Sequence, residues 1–437
     1  MSNVHPLKDI VQEQKCGIAR GIYSACTANI YAIKAVMERA LKNNKHVLVE
    51  ATANQVNQFG GYTGMHPADF KSFVYKIAAG MDFPFDKIIL GGDHLGPLTW
   101  KNEAAEPAMQ KSVGLIKEYV LAGFTKIHID TSMHLADDDL GKPLDTAVIA
   151  SRGAVLCSAA EEAYNELKLK DPSAMAPVYV IGSEVPIPGG SQDEEEGLHV
   201  TKVSDFKDTV DAFHKEFLKR RLEGAWENVI AVVVQPGVEF GDDIIHEYNR
   251  EAAKDLCMAL KKLPNMVFEG HSTDYQTPEA LRKMVEDGIA ILKVGPALTY
   301  ALREGLFALN HIENELLMDN RAIKVSNFID VLDDTMVKTP EHWIKYYHGN
   351  ENKVRMARKY SYSDRCRYYL PNKEIQESIR ILMGNLRSVQ IPLSLISQFM
   401  PVQYVKVRSG EIENDPESLL KDRIVNYIDD FMYAIVP

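Results

Sequence analysis

At 437 residues, 46% hydrophobic and 25% charged, the chain has globular composition, with material for one large domain and an extension or for two to three ordinary domains. A formal net charge of −12 argues against a nucleic-acid partner, which would want clustered Lys and Arg, yet a local cluster of donors can still hold an anionic sugar phosphate. Five scattered cysteines (Cys16, Cys26, Cys157, Cys257, Cys366) without a CxxC pair fit a reducing cytoplasm, and neither a signal peptide nor an apolar run of about 18 residues is evident, so no membrane partner is expected.

In chain order, short β-branched runs alternate with amphipathic stretches. Strands are expected at residues 17–24, 46–50, 87–92, 126–130, 178–182, 229–234, 266–269 and 289–294. Helical periodicity falls between and after them, at 30–41, 67–79, 109–122, 154–167, 206–218, 250–260, 278–285 and 300–317. Eight strands each followed by a helix, over about 300 residues, predict an α/β fold, the (β/α)8 barrel. A doubly wound open sheet would carry a glycine fingerprint after its first strand, and none is present. Residues 186–197 (PIPGGSQDEEEG) read as a long loop after the fifth strand, either a solvated insertion or a lid. Beyond the barrel of residues 1–319, residues 320–437 turn helical and tyrosine-rich, which predicts an extension packed on the barrel.

The unusual polar residues collect where such barrels place chemistry, at the C-terminal ends of the strands. After strand two come Asn54, Gln55, Asn57 and Gln58 with two glycines, a loop suited to binding sugar hydroxyls. Strand three ends in Asp93-His94, strand four in His128-Ile-Asp130-Thr-Ser132, and strand five in Gly182-Ser-Glu184. Strand six ends in Gln235-Pro-Gly237-Val-Glu239, strand seven in Glu269-Gly-His271-Ser272-Thr273-Asp274, and strand eight in Lys293-Val-Gly295. A single Asp-His pair is ordinarily a satisfied turn, and His128, inside an apolar strand, reads as a core histidine. Seven consecutive strand ends with ligand or acid–base groups point instead to a functional site.

His94 and His271 are the natural metal ligands, with Glu184, Asp130 or Gln235 able to complete the shell. Such a mixed N/O set suits a catalytic divalent ion, zinc first, with manganese or cobalt also suited. Asp93 beside His94 is the expected proton-transfer group, and Glu184 and Asp130 are further acid–base candidates. Ser132 and Asp274 join the substrate-binding set, and Lys293 with the backbone at Gly295 is expected to hold a phosphate. A Schiff-base role for Lys293 is less favoured than the metal route. No Walker A pattern is present, which disfavours a P-loop kinase.

Read in order, Asn54-Gln55-Val-Asn57-Gln58-Phe-Gly-Gly-Tyr62, Gly91-Gly92-Asp93-His94-Leu-Gly-Pro97, Val234-Gln235-Pro-Gly-Val-Glu239, His271-Ser-Thr-Asp274 and Lys293-Val-Gly-Pro-Ala-Leu-Thr299 resemble the Z-type subunit family of class II tagatose-1,6-bisphosphate aldolase, members of which also carry a tagatose-6-phosphate kinase label. The tail extends the likeness through Tyr360-Ser-Tyr-Ser-Asp364-Arg365-Cys-Arg367 and Ile391-Pro-Leu-Ser-Leu-Ile-Ser-Gln398. The resemblance implies a barrel subunit, described as noncatalytic, that supports a class II catalytic subunit within an oligomer in galactitol- or N-acetylgalactosamine-type carbohydrate catabolism. In the related catalytic barrels an Asp precedes a first metal-binding His, and two more histidines complete the site. Asp93-His94 and His271 match that pattern, whereas the region of the middle histidine reads Val234-Gln235-Pro236-Gly237. Ser272-Thr273 replaces the Gly-Gly phosphate loop, and Arg365 and Arg367 are further phosphate candidates.

Two functions follow. One is an accessory aldolase subunit. The other is a stand-alone metal-dependent 4-epimerase of ketohexoses or their 6-phosphates, working by retro-aldol cleavage and re-addition, as the resemblance to such epimerases implies.

Overall fold

The computed structural model describes residues 4–183, 199–317, 319–320 and 322–437. Eight strands carry the architecture: β1 (Ile22–Cys26), β2 (Val47–Thr52), β3 (Ile88–Leu95), β4 (Lys126–Ile129), β5 (Val178–Ile181), β6 (Val229–Val234), β7 (Val267–Gly270) and β8 (Ile289–Val294). All neighbours pair in parallel and β8 returns to β1, closing the barrel. The strands are short and, apart from one end residue each in β1, β2 and β3, buried, because helices cover their outer faces and side chains fill the lumen. The eight-stranded barrel expected from the sequence is the fold found.

The first strand begins five residues later than expected. A helix over Pro6–Lys15 precedes it, N-capped by His5, whose ring accepts from the Leu7 amide. Gly17, at a φ of 83°, ends that helix and turns the chain into the barrel. Leu7, Ile10 and Val11 then pack against Ile22, Leu48, Ile89, Val178, Ile230, Val267 and Ala290, residues from the starts of the strands. The helix thus plugs the end of the barrel opposite the polar mouth.

Strands β2 and β3 run further than expected, to Thr52 and Leu95, so Asp93 and His94 lie within β3. Gly92 pairs with Ile127 but Leu95 with Ile129, a one-residue bulge that contains both. His94 takes up the bulge with a φ of 49°, a region rarely populated by residues with a side chain. Of the helices after the strands, Pro67–Ala79 and Arg250–Leu260 fall at the expected residues, whereas Ala105–Ala122 and Pro296–Leu317 begin four residues, and Thr146–Lys170 eight residues, before the expected starts. A hairpin pairing Glu239–Phe240 with Ile245–His246 follows β6.

Beyond the barrel the chain forms helices over Phe328–Lys338, Glu351–Tyr360, Lys373–Arg387, Leu393–Phe399, Pro401–Ser409 and Pro416–Ile435. The last lies against Ile30–Lys42, Pro278–Glu286 and Pro296–Leu317, and its Leu419, Leu420, Ile424 and Ile428 join the same apolar core as the barrel helices. Among the described residues, no helix is long and apolar enough to cross a membrane.

Candidate metal centre

The barrel mouth is built from alternating positions. Along β4 and its exit, Lys126, His128 and Asp130 stand two residues apart, between Ile127 and Ile129, so period-two geometry puts all three on one face. The β3 bulge aims Asp93 and His94 toward them, and β7 brings Glu269, followed by His271. The result is a triangle of imidazoles. Ring centres lie 5.1 Å apart for His94 and His128, 4.9 Å for His94 and His271, and 5.1 Å for His128 and His271. One candidate ligand atom from each of Asp93, His94, His128 and His271 falls within 4.8 Å of the others, and all four residues are buried.

Each ring commits one nitrogen to a carboxylate. His94 Nδ1 is 2.7 Å from Asp130 Oδ2, His128 Nδ1 is 2.9 Å from Asp93 Oδ1, and His271 Nε2 is 3.0 Å from Glu269 Oε1. For His94 and His271 this is how metal-bound histidines are held, the carboxylate fixing the tautomer and leaving the other nitrogen for the ion, whereas His128 Nδ1 also meets the His94 amide, which donates to it at 3.2 Å. His128 Nε2 is buried with no hydrogen-bond partner among the described residues, an orphan that a cation would satisfy. Three imidazoles on one ion, with metal–nitrogen distances of about 2 Å and near-tetrahedral angles, have ring centres about 5 Å apart, the spacing seen here. The residues present therefore fit a divalent ion.

Beneath the triangle lies a buried charge lattice. Lys126 Nζ is 2.7 Å from both Glu50 Oε1 and Glu269 Oε2, contacts that are ionic rather than directed hydrogen bonds, and all three side chains are wholly shielded from solvent. Lys293 pairs with Glu50 and lies 2.9 Å from Asp93 Oδ1 and 3.9 Å from Glu269 Oε1. A second potential ligand set, Cys26, Glu50 and Asp93, thus has the Lys293 ammonium already among its carboxylates.

The titrations follow from this packing. Burial would raise the Asp93 carboxyl, but the charges of His94 and Lys293 and the His128 hydrogen bond hold it well below the usual carboxylate range. Burial likewise opposes Lys293, yet Asp93, Cys26, Glu50 and Glu269 keep its ammonium well above the ordinary lysine value. A lysine so firmly protonated is a poor Schiff-base nucleophile. Burial pushes His271 down to about 3, leaving it neutral, the form that binds metal. Asp130, despite burial, is drawn down to about 2 by His94 and Ser132.

An open cleft lies above the cluster. Asp93, His94, His271 and Lys293 line it with Asn54, Gln55, Ser272, Asp274, Gly295 and Arg367, so these expected site residues do come together. Others do not line it. Asn57 bonds the Ala53 carbonyl and accepts from the Phe59 and Gly61 amides, and Gln58 donates to the Lys111 carbonyl, so both hold the loop rather than face the cleft. Ser132 donates to Asp130, Thr273 to the Lys293 carbonyl, and Gln235 accepts from the Gly237 and Val238 amides. Arg365 is buried against Tyr346 and donates to the His342 carbonyl. Glu184 and the loop 186–197 lie outside the described residues.

His128, expected in the core, instead forms the third corner of the triangle, while Gln235, offered by the sequence for the metal shell along with Glu184 and Asp130, spends its side-chain oxygen on the Gly237 and Val238 amides. The alternation Lys126-His128-Asp130 was the signal for His128. Tyr62 and Tyr368, edge to face at 4.9 Å, and Cys26 also line the cleft without having been singled out.

Residues 7–436 match the family described as D-tagatose-1,6-bisphosphate aldolase subunit GatZ/KbaZ-like. The chain belongs to this family. It is 47% identical over 428 residues to the D-tagatose-1,6-bisphosphate aldolase subunit GatZ of Klebsiella pneumoniae, covering 98% of this chain and 99% of that one. Likeness to the GatZ subunit of Salmonella agona is 47% over 431 residues, covering 99% of each. A crystal structure of a probable tagatose 6 phosphate kinase from Sinorhizobium meliloti superposes with a TM-score of 0.86 at 43% identity, over 95% of this chain and 100% of that one.

Proposed function

We propose that this chain is a subunit of a tagatose-1,6-bisphosphate aldolase, working beside a class II catalytic subunit. The 47% identity to GatZ subunits along essentially the whole of both chains carries this reading. Co-expression with a class II tagatose-bisphosphate aldolase catalytic subunit tests it. The two chains should co-elute, and the complex should cleave tagatose 1,6-bisphosphate faster and survive longer at 37 °C than the catalytic subunit alone. Independent elution with unchanged activity would overturn it.

The assembled mouth supports a second reading, a metal-dependent 4-epimerase of ketohexoses or their phosphates acting by itself. His94, His128 and His271 would hold the ion, for which zinc suits the imidazole set best. When bound, such an ion polarises a substrate carbonyl and stabilises negative charge beside it. Asp93, kept ionised by its cationic neighbours, accepts a hydrogen bond from a substrate hydroxyl and orients it for proton loss. Asp274, raised by burial to about 6 and lining the same cleft, exchanges protons near neutrality. Asn54 and Gln55 offer amides to sugar hydroxyls. Metal analysis of the purified chain, with assays of fructose/tagatose interconversion with and without a 6-phosphate, tests this reading. Turnover lost in Asp93→Ala and His271→Ala supports it; no bound metal and no turnover in the unaltered chain sink it.

A further inference from the structure

Three groups at the mouth have the chemistry to bind a phosphate: Lys293, the N-terminus of helix Pro296–Leu317 at Gly295, and Arg367. Two are already taken. Lys293 is paired with Glu50 and Asp93. Asp274 Oδ1 accepts from the Gly295 amide at 3.0 Å and the Ala297 amide at 2.8 Å, so a carboxylate fills the place an anion would occupy at the helix end.

Arg367 differs. Among the described residues it makes no ion pair. Its Nη1 donates to the Ser363 carbonyl and, at 3.0 Å, to the Asp364 carbonyl, and its Nη2 donates to Tyr368 Oη at 3.1 Å. The guanidinium carbon lies 4.5 Å from the Tyr368 ring centre. The nearby Asp364 carboxylate is engaged by Arg303 at 3.2 Å and by Thr299 at 2.6 Å. Of the five N–H donors of an arginine, roughly two are left without a protein acceptor. Arg367 also lines an adjoining cleft, which shares Cys26, Gln55 and Tyr62 with the first. A guanidinium fixed by carbonyls and an aromatic ring, without a carboxylate and facing a cleft, is pre-organised for bidentate recognition of an oxyanion.

We propose that Arg367, carried into the barrel mouth by the segment after the barrel, binds the phosphate monoester of a sugar phosphate whose other end lies at the histidine cluster. The inference rests on the reading of the mouth as a sugar-phosphate site. It places the phosphate on the tail rather than on the last strand–helix loop, and so makes the tail part of the binding site.

Calorimetric titration of the zinc-loaded full chain tests it, with fructose 6-phosphate, fructose and inorganic phosphate as probes. The unaltered protein should bind fructose 6-phosphate at least tenfold more tightly than fructose. Arg367→Met should lower affinity for fructose 6-phosphate and inorganic phosphate at least tenfold while leaving fructose within twofold. Arg367→Lys, which keeps the charge but not the fork, should lose affinity for the same two probes to a smaller extent, and carries the test if Arg367→Met does not fold. Equal losses for fructose and its phosphate, no loss in either variant, or no preference in the unaltered chain would overturn the proposal. Zinc content should be unchanged in both variants. A chain that binds phosphate through Arg367 yet neither joins a partner nor turns over sugar would overturn the functional readings and leave this one standing.

Discussion

Lys126 has no contact with solvent, yet two of the groups that shape the site depend on it. Its ammonium holds Glu269, which orients His271, and Glu50, which pairs with Lys293. Replacing it by Met keeps the bulk but takes one cation from each of two buried carboxylates, leaving Glu50 to Lys293 and Glu269 to His271 and the more distant Lys293; losing one partner of a buried ion pair costs about 3–5 kcal/mol. Lys126→Met should therefore lower urea stability by roughly that amount, and metal affinity should fall about 10–100-fold, as for other losses behind a ligand. Unchanged unfolding and unchanged metal content would refute the assigned role. Glu239 offers a pH test on another carboxylate. Burial raises it to about 7 from an ordinary 4.5, so the folded protein keeps a proton that the unfolded chain releases. Its stabilising share is full below pH 4.5 and is lost as pH rises through 7, by about 3 kcal/mol in all. Relative to Glu239→Gln, the unaltered chain should lose stability across that window; parallel stability–pH curves would count against it. The site was legible where a residue type announces itself, as at Asp93-His94 and His271. It was obscure at His128 because an inward-facing histidine between isoleucines has the local pattern of a core residue. Only the lumen position of its neighbours two places away marks it as polar on purpose.

Elements that bury both faces were the easiest to read, since strands such as Val229–Val234 are uninterrupted apolar runs and helices such as Pro67–Ala79 open on a proline after a capping residue. The N-terminal helix was missed because it precedes the repeating units and no strand–helix rhythm calls for it. Its apolar residues Leu7, Ile10 and Val11 follow helical spacing, but over ten residues only. What it does depends on the barrel: it covers the bottom of a lumen that would otherwise expose Ile22, Leu48 and Ile89. Truncating Ile10 to Ala should cost about 2–4 kcal/mol, the usual penalty for removing a buried aliphatic group. Because the plug lies opposite the mouth, bound metal and its affinity should not change. A variant that keeps its stability, or one that loses metal in proportion, would show that the plug does not act as a separate closure.

At the scale of the molecule, the question is how the tail is held so that Arg367 stays at the mouth. Lys34–Glu417, Arg39–Asp429 and Arg423–Glu304 join the last helix to the barrel helices, but each is partly exposed and such pairs contribute about 0–1 kcal/mol. The Arg303–Asp364 pair is different. Both side chains are at most 3% exposed, Thr299 donates to the same carboxylate, and Arg303 lies over Tyr300, 4.2 Å from its ring centre. Asp364 sits at a φ of 45°, which Asn also tolerates, so Asp364→Asn removes charge without forcing the backbone. It leaves the Arg303 guanidinium buried and uncompensated, at a cost of about 3–5 kcal/mol. Arg303→Met strands the Asp364 carboxylate in the same way. If the pair is the tie between barrel and tail, the double variant should be more stable than the sum of the singles predicts, with a coupling of about 1–3 kcal/mol. Proteolysis should separate local from global loosening: under native conditions the single variants should be cut first between residues 339 and 372, while the barrel persists. Additive effects in the cycle, or cleavage spread evenly along the chain, would mean that the tail is held by its apolar face alone and that the buried pair has no special part in placing Arg367.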